Sequence, residues 1–72
     1  MKINIYIGDG RIVRTKVEIE EHEDEEKIMG NAAENLLNQI KETGFACIPK
    51  GGGYRMINGN EIKEIEILPD DE

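Results

Sequence analysis

The chain has 72 residues, sixteen of them acidic and nine basic, for a net charge of −7. That length holds one domain, and 38% hydrophobic residues are too many for a disordered tail. The acidic field disfavours phosphate backbones, anionic membranes and nucleotides unless a local basic patch overrides it, and no apolar run approaches the ~20 residues of a spanning helix.

Lys2 to Ile7 alternates, with Ile3, Ile5 and Ile7 on one face and Lys2, Asn4 and Tyr6 on the other. A period of two with β-branched residues predicts a half-buried strand. Gly8-Asp9-Gly10-Arg11 supplies turn residues, and the alternation resumes with Val13, Thr15, Val17 and Ile19. Residues 2–19 are therefore expected to form a β-hairpin.

The period then changes. Over residues 24–43, Ile28, Met29, Ala32, Ala33, Leu36, Leu37 and Ile40 recur at three and four, as in an amphipathic helix. Acids fill its first turn, Asp24 is the expected N-cap, Lys41 sits in the last turn, and Gly44 is the expected left-handed residue after it. Gly30 either marks close approach by another backbone or is tolerated on a polar face.

Residues 45–68 carry the C-terminal strands. Phe45 to Ile48 reads as a strand stopped by Pro49, and Tyr54 to Ile57 as its return after Lys50-Gly51-Gly52-Gly53. Asn58-Gly59-Asn60 signals a turn, Glu61-Ile62-Lys63 one helical turn, and Glu64 to Leu68 a last strand. Residues 69–72 form an acidic tail. The order ββ-α-βββ predicts an α+β fold: a mostly antiparallel sheet of three to five strands with one amphipathic helix packed on one face. Ile3, Ile5, Ile7, Val13, Val17, Ile19, Leu36, Ile40, Ile65 and Ile67 are the expected core.

At about 100° per residue, the apolar arc of the helix runs from Ile28 round to Leu37, about half the circumference. One small sheet covers part of that. A short chain without disulfide or metal is also often helped by association, so a homodimer is expected. Met29, Ala33 and Leu37 are the candidate interface, with Ile28, Ala32 and Leu36 turned to the sheet. Edge-strand pairing is the rival geometry, and a monomer with a strongly curled sheet is the alternative.

Taken together, the hairpin, the acidic helix start and the stretch Tyr54-Arg55-Met56-Ile57-Asn58-Gly59-Asn60 resemble small proteins of SPβ-like Bacillus prophages, the YopT type. The resemblance implies a homodimer of short α+β subunits with no assigned activity. It transfers no functional residue.

Seven acids lie in the nine positions from Glu18 to Glu26. They lack the D-x-[DN]-x-[DN]-G pattern of a calcium loop, so they read first as a solvated strand end running into a dipole-favoured helix start, and second as a docking surface for a basic partner. Lys50, Gly51, Gly52, Gly53 and Arg55 form the one segment suited to an anion, although the lysine precedes the glycines, unlike a Walker loop. His22 reads as a surface residue. Cys47 is the only cysteine, which excludes an internal disulfide; it reads as a buried thiol. No signal-peptide pattern precedes Gly8, and a reducing, cytoplasmic setting is expected. Tyr6, Tyr54, Arg14 and Arg55 are candidates for an exposed, interface-forming sheet face.

No nucleophile–base pair or metal-ligand spacing is visible, so neither an enzyme nor a cofactor is expected. The sequence points to a homodimeric interaction module, which the resemblance would make a prophage-encoded modulator of a host protein. The alternative is a small anionic-ligand binder using the loop at Lys50–Gly53 with Arg55.

Overall fold

The computed structural model describes residues 1–70. Strands β1 (Lys2–Ile7) and β2 (Ile12–Lys16) form the hairpin, helix α1 spans Glu25–Thr43, β3 (Phe45–Lys50) and β4 (Gly53–Asn58) form a second hairpin, and β5 covers Ile62–Leu68. The α+β class and the order ββ-α-βββ are as the sequence predicts. The five strands divide into two antiparallel sheets, β2-β1-β5 and β3-β4, rather than one. Among the described residues, no helix is long and apolar enough to cross a membrane.

The period-two pattern of β1 sets the larger sheet. Ile3 and Ile5 stand opposite Thr15 and Val13 on β2 and opposite Ile67 and Ile65 on β5, so one face is lined by β-branched side chains. A bulge between Tyr6 and Ile7 then shifts β5 by one residue, and Ile7 faces Ile62. Val17 lies beyond β2 yet continues its ladder, exchanging backbone bonds with Met1.

Helix α1 is built from local signals. The Asp24 carboxylate accepts the Lys27 N–H at 3.3 Å, and Gly44, at φ 83°, donates its N–H to the Ile40 carbonyl at 2.9 Å. Gly30 is exposed, with nothing within 4 Å of a built Cβ, so it is tolerated on the polar face and marks no close approach.

Several boundaries differ from expectation, the first being the hairpin expected over residues 2–19, whose second strand β2 ends at Lys16. Pro49 does not stop β3, which runs on to Lys50. The N–H groups of Phe45 and Cys47 turn away from β4, to Thr43 Oγ1 at 3.1 Å and Gln39 Oε1 at 2.8 Å. In an antiparallel ladder this direction alternates, so Pro49's missing N–H also falls on the outer edge, where it costs nothing. The expected turn at Glu61-Ile62-Lys63 is a 3-10 turn two residues earlier, Gly59–Glu61, because the Asn58 side chain accepts the Asn60 N–H and starts it there. Ile62 and Lys63 belong to β5. In the tail, the Asp70 N–H donates to Glu25 Oε2 at 3.2 Å; the rest of the tail, 71–72, lies outside the described residues.

The buried core is Met1, Ile3, Ile5, Ile7, Val13, Leu36, Ala46, Ile48 and Ile57. Five of the ten expected core residues (Val17, Ile19, Ile40, Ile65 and Ile67) are only half-buried, packed against this cluster. They sit past the end of β2, at the C-terminal part of the helix and on the outer strand β5, where cover comes from one side. Met1, Ala46, Ile48 and Ile57 complete the core from outside the expected set.

Candidate functional site

The apolar arc of α1 divides sharply. Leu36 is buried, while Ile28, Met29, Ala32 and Ile40 are half-buried against the core. Leu37 is 65% exposed. It stands with Ala33 and Leu36 over β5's Ile65 and Ile67, around an apolar cleft of about 150 Å³. Two of the three candidate interface residues, Ala33 and Leu37, therefore share one seam between α1 and β5. Met29 does not line it and leans on the core instead.

A second exposed apolar surface lies on the β3-β4 hairpin. Ala46, Ile48 and Ile57 point into the core, so alternation sends Phe45, Cys47, Tyr54 and Met56 to the other face. Tyr54 and Met56 are 79% and 65% exposed. Cys47 is consequently half-buried rather than the buried thiol expected, because Ala46 and Ile48 take the inward positions.

The candidate anion segment is only partly assembled. Gly51 and Gly52, with φ of 61° and 83°, form the tight turn between Lys50 and Gly53. Arg55 stands opposite Ile48, two residues along β4, and lines a different cleft with Arg11 and Glu61. Lys50 stays at the turn, its Nζ donating to the Arg14 carbonyl at 2.6 Å. The four residues proposed for one sheet face also separate. Tyr6 and Arg14 lie on the outer face of the larger sheet, whereas Tyr54 and Arg55 point to opposite sides of β4.

Part of the acidic run has a structural task. Glu23 Oε1 accepts the Glu20 N–H at 2.9 Å, the Glu23 N–H returns to the Glu20 carbonyl at 3.0 Å, and Asp24 caps the helix. His22 is exposed. Among the described residues, no three His, Cys, Asp or Glu side chains converge to hold a metal ion.

Sequence reading missed a polar cluster on the outer face of the larger sheet. Asn4 Nδ2 and the Tyr6 hydroxyl both donate to Glu66 Oε1, at 3.1 and 2.9 Å. These donors, Asn4 foremost, hold the Glu66 carboxyl below its ordinary pKa, and the bond to Glu66 raises the Tyr6 hydroxyl above its own. The signal was the polar face of β1, but matching it to Glu66 requires the β1-β5 register, sixty residues apart in sequence.

Fold and surface together define a small acidic α+β protein with an uncovered seam between its helix and an outer strand. No family model, curated protein or solved structure matches the chain.

Proposed function

We propose that the chain is a non-enzymatic, homodimeric interaction module that works in the cytoplasm as a prophage-encoded modulator of a host protein. The observation that carries the dimer is Leu37, a large apolar side chain 65% exposed beside a cleft floored by Ile65 and Ile67. A second copy docked there by a two-fold contact buries Leu37 and Ala33 of both protomers, so every contact counts twice. The prophage origin is supported by the resemblance in the sequence, and the acidic run from Glu18 to Glu26 suits a basic surface on the host partner.

Light scattering across a concentration series tests the dimer. Twice the 8.1 kDa chain mass is expected at micromolar concentration, and a single-chain mass throughout overturns it. Affinity capture from host lysate, repeated with Glu18, Glu20, Glu21 and Glu26 changed to Gln so that the capping and turn carboxylates stay, tests the partner. Capture of one specific protein that the Gln variant fails to retain is the expected result.

A further inference from the structure

The three glycines of the β3-β4 turn are not equally accounted for by the fold. Gly51 and Gly52 have positive φ, which other residues adopt at a cost. Gly53 does not, and a Cβ built on it would meet nothing within 4 Å. Neither backbone nor packing requires glycine there, yet glycine weakens a strand and often marks a place where a ligand approaches closely.

The space beside Gly53 is a depression of about 320 Å³ between the turn and the end of β2. Lys16 and Lys50 line it, with Thr15 and Tyr54, and among the described residues no carboxylate does. The turn is clamped in place by two bonds to β2: Thr15 Oγ1 donates to the Pro49 carbonyl, and Lys50 Nζ to that of Arg14. The second bond uses one of the three Lys50 donors, leaving two on an ammonium held in position. Lys16 Nζ is 3.5 Å from Asp70 Oδ2, with both side chains substantially exposed. Such a pair is worth little and yields readily to a doubly charged oxyanion. The Tyr54 ring, 79% exposed, offers an uncovered aromatic face at the rim.

We propose that this depression binds a phosphate monoester, its dianion held by Lys16 and Lys50 over the bare backbone of Gly53 and its organic part lying on Tyr54. The site needs neither the dimer nor a host partner, so the mass measurement above and the binding measurement below succeed or fail separately.

The test is a titration of the isotope-labelled full chain, followed by amide NMR shifts, with adenosine monophosphate and with ribose 5-phosphate. Saturable shifts at Gly51, Gly52, Gly53 and Tyr54 are expected. Tighter binding of the nucleotide assigns the organic part to a stacked base, and equal binding assigns it to a sugar phosphate; both support the site. Lys50→Gln keeps a donor for the Arg14 carbonyl but removes the charge, and should weaken binding roughly ten-fold or more. Gly53→Val should block binding while leaving the β1-β5 resonances in place. Shifts that do not saturate with either compound at millimolar concentration, or binding unchanged in Lys50→Gln, overturn the proposal.

Discussion

Gly59 is packed against Ile40: a Cβ at position 59 would lie 2.7 Å from Ile40 Cγ2 and 3.1 Å from the Gly44 carbonyl oxygen. That same oxygen accepts the Gly59 N–H at 2.7 Å. The end of the helix and the turn leading into β5 are thus joined backbone to backbone, and a Cβ at position 59 would have to displace the Ile40 methyl. Gly59→Ala should cost about 1–3 kcal/mol by overpacking. Urea unfolding of the single variants and of Gly59→Ala with Ile40→Ala checks it. The double variant removes the methyl that is struck and should cost less than the sum of the two.

The β3-β4 turn separates its glycines in the same way. Gly52→Ala, at φ 83°, should lose about 1–2 kcal/mol, the usual penalty for a left-handed residue with a Cβ. Gly53→Ala meets no neighbour and should be neutral or stabilise by up to about 1 kcal/mol, since it restricts only the unfolded chain. Thermal melts of both variants decide it; an equal loss in the two would place Gly53 in a strained conformation as well.

The Tyr6–Glu66 pair gives stability two pH-dependent arms. Glu66 has a folded pKa below the ordinary 4.5, so its contribution is present above that value and is lost as pH falls through the lowered one. Tyr6 has a folded pKa above the ordinary 10.0, so its contribution is complete below 10.0 and is lost as pH rises through the raised one. Asp9, held low chiefly by the Arg11 N–H, adds to the acid arm. Tyr6→Phe should therefore flatten the alkaline fall, and Glu66→Gln should flatten part of the acid fall. Urea midpoints measured across both ranges test this, and unchanged slopes would show the bonds to be absent in solution.

What could be read from the sequence follows the range of the interactions. Asp24 and Gly44 cap the helix through bonds to residues three and four away, and both positions were legible. The division into two sheets was not. It depends on β2 and β3 meeting through Thr15 to the Pro49 carbonyl and Lys50 to the Arg14 carbonyl, more than thirty residues apart, in place of a backbone ladder. Arg55 illustrates the same limit at the candidate anion site. Sequence placed it beside Lys50, while the β3-β4 register sets it opposite Ile48, and Lys16 comes from β2 in its stead.

Leu36 and Leu37 are neighbours on α1 with opposite tasks, and the contrast tests the proposed dimer. Leu36 is 5% exposed and Leu37 65% exposed. Leu36→Ala should cost about 2–5 kcal/mol through lost transfer energy and the cavity left behind, enough to unfold much of a marginal chain. Leu37→Ala removes little cover from the core, so the subunit itself should change by no more than about 0.5 kcal/mol. If a second copy covers the seam, a carboxylate at position 37 would be buried against its own symmetry mate's apolar surface, at a cost neither protomer can relieve. Leu37→Glu should then give a single-chain mass by light scattering at concentrations where the unaltered chain gives twice that mass. Its circular dichroism should stay that of the folded protein, because the residue faces outward. Dimer stability adds to apparent stability by mass action, so melts must be compared at one dilute concentration, where Leu37→Glu and the unaltered chain should coincide. A dimer that persists in Leu37→Glu would move the contact away from the α1-β5 seam, to the open edge of β4 with its exposed Tyr54 and Met56.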